Sequence, residues 1–365
     1  MSSKGIALAV LKAQKEIFSS AAPMTKITPM GTLAYLLANS RPSVLSQTVD
    51  NKSGYIRDVN IRYRKRAAAG ESVTDDDCSL QTEPAFFTQT IPSLSKRFKG
   101  IWFDMPTIKT FTEDALAGNS TTTMVEVMDA IMNEINGLLL DINTDVVTAL
   151  TFGKNVVTGA NTATTVNFTQ NAANNVLTSG MTKIMADIMA NEVTVQNCDI
   201  IGSGLINNYM LQQMAKGVDA GGVNSAGLAL PGFWYDPQFA TTVGANQFAV
   251  VEKNALQFVN VCYNRAGKIS GRFGTSEFGT ISFPITDATG NSLGNLEFDI
   301  QFKEEDCPGD KIIGDPQGSP VAKGRGMSVI IGCHFALAQI PATAYLSTDR
   351  MYQVNGVWRY TATNS

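Results

Sequence analysis

The longest unbroken periodicity in the chain lies at residues 121–152, TTTMVEVMDAIMNEINGLLLDINTDVVTALTF. Met124, Val127, Met128, Ile131, Ile135, Leu138, Leu139, Ile142, Val146 and Leu150 recur at spacings of three and four, the apolar stripe of a helix half buried along its length. Thr123 followed by Glu126 fits a capping box at its start. About thirty residues at 1.5 Å each make a rod of roughly 45 Å. Gly137 interrupts the composition but not the apolar register. Glycine inside a helix costs about 1 kcal/mol relative to alanine, so Gly137 either marks a bend or splits the element in two; because the apolar register continues across it, one helix is expected, with Gly137 as the candidate position for a bend. A second helix is expected over 172–190, with Val176, Leu177, Met181, Ile184, Met185 and Ile188 on one side.

Elsewhere the period is two. In YIRDVNIRYRKR, residues 55–66, Val59, Ile61 and Tyr63 take one side and Asn60, Arg62 and Arg64 the other, which predicts a strand with one polar face. Residues 84–111 return as a second strand after the turn-like, acidic AAAGESVTDDDCS. Together they predict a long two-stranded excursion, and because an isolated hairpin is marginal in water it should rest on a neighbour. VQNCDIIGSG reads as a buried strand ending in a turn, and LINNYMLQQMAKG as a helix closing on glycine. Residues 217–247 read as a glycine-rich loop carrying an aromatic knot, GFWYDPQF, and FAVVEKNALQFVNVCYN as a short strand and a second apolar element. GTISFPI and NLEFDIQF predict an antiparallel pair with Leu296, Phe298, Ile300 and Phe302 facing inward. MSVIIGCHFALAQI predicts a strand buried on both faces, and Asn355-Gly356 a terminal hairpin. Residues 1–50 read as an arm: a short amphipathic helix near 6–18, then the apolar MGTLAYLLANS. The apolar stretch at 6–11 is followed at once by Lys12, Lys15 and Glu16, unlike a signal peptide. There is no internal repeat, and no apolar run approaches the roughly 18 residues of a membrane span.

Composition adds two constraints. Of the 365 residues 44% are hydrophobic, enough for a real core, but only 16% are charged, against roughly 25% in an average soluble domain. A chain that hides surface against copies of itself tolerates this, because interface cores are depleted in charge. A net charge of −4 opposes tight general binding to nucleic acid, which rests on phosphate neutralisation.

Candidate chemistry is sparse. Cys78, Cys198, Cys262, Cys307 and Cys333 are scattered and form no CxxC, so reduced thiols are expected rather than a disulfide framework or zinc site. The one histidine, His334, lies in an apolar strand, where a structural role is expected; Cys333 beside it points to the opposite face. With one histidine no nucleophilic triad can be assembled, and no enzyme activity, metal or cofactor is expected. CDIIGSGLIN mimics a dinucleotide fingerprint, yet Asn207 stands where the third glycine belongs. GRFG and KGRG are short turns lacking the phosphate-loop GK[ST]. Asp75, Asp76 and Asp77 read as a solvated loop tip before a Mg²⁺ site. Arg57, Arg62, Arg64, Lys65 and Arg66, with Lys96, Arg97 and Lys99 on the returning strand, make the excursion basic. They could bind nucleic acid, but opposite charges at the two ends of one arm suit pairing between subunits at least as well, and that reading is carried forward.

The order of these parts (arm, charged hairpin, long helix, mixed sheet-and-helix region, late buried strand, terminal hairpin) resembles the major capsid proteins of tailed bacteriophages, the Hong Kong-97-type fold also used by encapsulin shells. The resemblance implies an α+β chain: residues 1–50 as N-terminal arm, 51–112 as an extended loop reaching over an adjacent subunit, 113–184 as a peripheral domain with the spine helix, 185–325 as an axial domain with parts of the peripheral sheet, and 326–365 as return strands of the peripheral domain. It implies a shell of pentamers and hexamers around double-stranded phage DNA, assembled in the host bacterial cytoplasm. Its partners would be copies of itself, a portal protein and scaffolding or decoration proteins; DNA would be touched weakly and non-specifically, and membrane not at all. Beginning at Met1, the chain carries the expectation of no cleaved N-terminal scaffold segment. In this family spine helices can bend between immature and mature shells, which is the role expected of Gly137. A tail-tube or other self-assembling virion protein and an encapsulin-type cellular compartment are the alternatives; the two helices oppose a jelly roll.

Overall fold

The computed structural model describes residues 30–40, 44–49, 56–64, 86–91, 94–104, 122–151, 162–168, 179–191, 193–209, 231–262, 271–273, 276–286, 292–306, 325–339 and 356–363, with single positions between 106 and 117 and at 211. In chain order the first elements are α1 (Gly31–Asn39), β1 (Val44–Val49), β2 (Ile56–Arg64), β3 (Phe86–Ile91), β4 (Ser95–Asp104) and α2 (Thr122–Leu150). They continue as β5 (Thr164–Asn167), α3 (Ser179–Ala190), β6 (Cys198–Gly202), β7 (Gly232–Tyr235), α4 (Pro237–Thr242), β8 (Gln247–Glu252) and β9 (Leu256–Val261). The last are β10 (Gly271–Phe273), β11 (Ser276–Thr286), β12 (Ser292–Asp306), β13 (Arg325–Gln339) and β14 (Val357–Thr363).

The described strands form three sheets. β1, β2 and β3 make a small antiparallel sheet. A larger sheet runs β10-β11-β12-β13-β4, with β9 pairing the C-terminal end of β13. A mixed sheet runs β5-β14-β8-β6-β7. Three apolar clusters organise them. The main core gathers Leu33, Tyr35 and Leu36 of α1, the stripe of α2, Phe298 and Ile300 of β12, Ile331, Cys333 and Phe335 of β13, and Ile201, Val251 and Val357 of the mixed sheet. Successive strand residues face opposite ways, so Ile200, Val250, Trp358 and Tyr360 fill a second core with Met181, Ile184 and Ile188 of α3 and with Ile206 and Tyr209 of a helical segment at 204–209. A third cluster seats Val59 and Ile61 of β2 on Val259, Val261, Ala336 and Ala338. The hairpin of β2 and β3 is therefore rooted on the outer face of the large sheet.

Several expectations hold. α2 runs unbroken through Gly137, beginning at Thr122, one residue before the expected cap. β11 and β12 pair with Ile281 opposite Phe298 and Phe283 opposite Leu296, and Leu296, Phe298, Ile300 and Phe302 are all buried. β13 is buried on both faces over most of its length.

Other expectations are corrected. The stretch around Gly31–Asn39 is no arm: Gly31 to Leu36 are buried inside the main core, and α1 packs on α2, β7, β9 and β12. The aromatic knot read as loop is β7 followed by α4, capped by Asp236, whose side chain accepts from the Gln238 backbone N–H. β4 leaves the hairpin and joins β13 in the large sheet. β14 lies between β5 and β8 in the mixed sheet, apart from β13, so the late strands do not form one group; the expectation of a hairpin at Asn355-Gly356 concerns residues that lie partly outside the described ones. The described part of the second helix is Ser179–Ala190.

Candidate assembly surface

α2 presents two faces. Ile131, Ile135, Leu138, Leu139, Ile142, Val146 and Leu150 are all buried, as are Met132, Val147 and the polar Asn143. Met124, Val127 and Met128 lie in its first two turns. On the outer face Asp141 and Asp145 are four residues apart, about 6 Å along a helix axis, the same as two residues along a strand. Arg97 and Lys99 of β4 have that spacing and meet them. Arg97 Nε donates to Asp145 Oδ2 at 2.7 Å and Nη2 to Oδ1, a bidentate pair, and Lys99 Nζ stands 3.0 Å from Asp141 Oδ2. The bond to Asp145 raises the already high pKa of Arg97. The Lys99 stem passes Gly137, where an added Cβ would find its Cε at 3.8 Å.

The opposite face of β4 carries Phe98 and Trp102. Phe98 is 52% exposed, lies against Gly332, where a Cβ would come within 2.5 Å of its ring, and meets His334 edge-on at 5.3 Å. Trp102 covers Gly326 in the same way. Glycines on β13 thus seat aromatic rings of β4. Among the described residues β4 is paired along one edge alone.

The residues singled out from sequence divide into three groups. Arg57, Arg62 and Arg64 lie on β2, with Arg62 opposite Thr88 and Arg64 opposite Phe86 of β3. Lys65, Arg66, Asp75, Asp76 and Asp77 fall outside the described residues. Lys96, Arg97 and Lys99, read as the returning side of the extended loop, sit instead on β4 in the large sheet; Lys96 faces His334 in register, and Arg97 and Lys99 bind α2 of their own chain. Strand periodicity in sequence names no partner, and the partner here lies some 230 positions away. Asp141 and Asp145 were overlooked, although their spacing of four against the spacing of two at Arg97 and Lys99 was available.

The decoy motifs resolve as packing. Gly202 ends β6 where a Cβ would press on Phe248 and Ile206 at 3.1–3.2 Å, so it serves strand-to-helix contact. Cys333 faces the main core, whereas His334 lies 3.5 Å from Asp299 on the other face. Cys198, Cys262 and Cys333 are free and buried, and burial pushes their thiols up, that of Cys333 to about 12. Among the described residues no three His, Cys, Asp or Glu side chains gather to hold a metal, and no helix is long and apolar enough to cross a membrane.

No protein-family model matches the sequence, and no curated protein matches it. Solved structures do. A chain of the cyanophage A-1(L) capsid asymmetric unit is 12% identical, with 94% of this chain and 95% of that one covered and a TM-score of 0.51. A structure of Mycobacterium phage Adephagia is 11% identical over 95% and 93% of the two chains, TM-score 0.42. The virus-like particle from Pyrococcus furiosus is 6% identical over 98% of both, TM-score 0.39. The likeness to the cyanophage chain, end to end in both molecules, establishes that this chain has an α+β capsid-protein fold.

Proposed function

We propose that this chain is a major capsid protein, whose copies assemble as pentamers and hexamers into an icosahedral shell enclosing a phage double-stranded DNA genome. The observation that carries the proposal is the match of nearly the whole fold to a capsid chain. The low charge supports it, and so does a fold in which one 29-residue helix stiffens the space between two sheets. In this reading the large sheet with α2 is the peripheral unit, and the mixed sheet with α3 is the axial unit. The hairpin of β2 and β3, bearing Arg57, Arg62, Arg64, Lys65 and Arg66 with Asp75, Asp76 and Asp77 beyond them, reaches an adjacent subunit. Gly137 is the place where α2 bends between shell states. A portal protein and scaffolding or decoration proteins complete the particle, which forms in the host bacterial cytoplasm, and packaged DNA is touched weakly.

Negative-stain electron microscopy of the chain expressed alone, with light scattering for mass, tests the proposal. Closed polyhedral shells, pentamers or hexamers are expected. Open tubes would assign the chain to a tail, and a compact monomer that never assembles would overturn the reading.

A further inference from the structure

α2 is held chiefly by apolar contacts, which have no direction. Its stripe nearly repeats every turn, so a slide by one turn would present Ile135, Leu139, Ile142 and Val146 to much the same neighbours. One feature of the core would not survive such a slide. Asn143 and Asp236 are fully buried polar side chains in the middle of it. Asn143 Oδ1 accepts from the backbone N–H of Leu33 at 3.0 Å. Its Nδ2 donates to Asp236 Oδ2 at 2.9 Å and to Gln238 Oε1 at 2.6 Å. Asp236 Oδ2 also accepts from the Thr32 N–H at 2.9 Å, and Oδ1 from the Gln238 N–H at 2.9 Å. Gln238 Nε2 returns to the Leu140 carbonyl of α2 at 3.3 Å, and the Asp236 N–H donates to the Gly202 carbonyl of β6. The ring thus joins the C-terminal half of α2, the first turn of α1, the start of α4 and the end of β6. One carboxylate receives N–H groups at the N-termini of two helices, where helix dipoles favour a negative charge.

We infer that this ring is a register lock, which fixes the axial and rotational setting of α2 against the β6–β7–α4 end of the mixed sheet. Directional bonds distinguish position 143 from positions 139 and 146, which apolar packing does not; a single buried asparagine sets the register of paired helices in the same way. Gly31 reinforces it. A Cβ there would lie 2.0 Å from the Tyr235 carbonyl oxygen, so α1 can approach the end of β7 closely enough to reach Asp236. The lock is a property of the single chain and holds whether or not copies assemble.

The test is a distance distribution between spin labels carried by unnatural amino acids at the exposed positions Thr148, on α2, and Thr194, just before β6. Labelled chain is diluted into excess unlabelled chain, so that intramolecular distances alone are read. The native sequence is expected to give one narrow distance. Asn143→Leu, which keeps the volume and removes the directional bonds, is expected to broaden it or add a population displaced by about one helical turn, ~5 Å. A single unchanged distance in N143L overturns the lock. Should N143L fail to fold, Gln238→Ala, which removes only the arms to Asn143 and Leu140, decides in the same measurement: broadening supports the lock and an unchanged distribution overturns it.

Discussion

Two glycines with the same side chain carry opposite predictions, because their surroundings differ. At Gly31 an added methyl would run into backbone, the Tyr235 carbonyl, which cannot swing aside as a flexible side chain can. Gly31→Ala is therefore expected to destabilise the chain by about 1–3 kcal/mol through overpacking. At Gly137 the nearest atom is the Lys99 Cε at an ordinary van der Waals distance, and the backbone is regular helix. Gly137→Ala should stabilise by about 0.5–1 kcal/mol. Denaturant titration of both variants under one set of conditions checks the pair; a destabilised G137A would mean that the glycine is kept for local packing. If G137A is more stable and its shells still change state normally, the bend proposed at this position is wrong.

Asp199 supplies a pH dependence. It is buried on β6, where the side chain of Trp234 and the backbone of Gly232 bond to it, and burial raises its pKa despite Lys253 and these donors. The folded chain therefore holds this proton more tightly than the unfolded chain, whose carboxyl titrates near about 3.9. Its contribution to stability is fully present below that value and is lost as pH rises through the raised folded pKa. Asp199→Asn cannot titrate. The melting temperature of the native sequence minus that of D199N is expected to fall as pH increases from about 4 upward and then level off. A flat difference would mean that the site is hydrated enough to cancel the shift.

Among elements, the contact of β4 with α2 is the one whose strength can be bounded. Arg97 and Asp145 form a bidentate pair, but their side chains are 46% and 29% exposed. Solvent screening holds such pairs to about 0.2–1 kcal/mol. A double-mutant cycle with Arg97→Ala and Asp145→Ala should give a coupling in that range that shrinks by more than half in 1 M salt, where screening acts within about 3 Å. A coupling that ignores salt would show that the pair is covered in solution by something else, such as a second copy.

The same contact marks where sequence reading succeeds and fails. α2 and β11–β12 were legible, because periods of 3.6 and 2 are written locally by Ile131 to Leu150 and by Leu296 to Phe302. The strand character of β4 is legible but its sheet is not, since alternation says that one face is buried and nothing about against what. Gly232–Tyr235 reads locally as loop because glycine, aromatics and proline crowd together there; Pro237 in fact opens α4, where its missing N–H costs nothing. Nothing in the local sequence marks Asn143 as a buried position, because its partner Asp236 lies 93 positions away.

At the scale of the molecule, the two larger sheets do not divide the chain. The large sheet takes β4 from the first third and β13 from near the end, and the mixed sheet takes β5 and β14 from places almost as far apart. Consecutive strands β8 and β9 belong to different sheets, joined by a tight turn in which Asn254 adopts φ +68°. Both sheets also share the main core, to which Ile201, Val251 and Val357 contribute from one side and Phe298, Ile331 and Phe335 from the other. The large sheet with α2 and the mixed sheet with α3 can therefore be distinguished by position, but neither can lose its contacts while the other keeps a closed core. Scanning calorimetry of unassembled chain is expected to give one transition, with a calorimetric enthalpy equal to the van't Hoff value, as for a single cooperative unit. Two resolved transitions would mean that the mixed sheet and α3 fold apart from the large sheet, and that α2 joins two domains instead of lying inside one. Under the proposed capsid role the distinction bears on assembly: a subunit that melts as one body would transmit a push at its hairpin across the main core to the mixed sheet, whereas a two-body subunit would absorb it along α2.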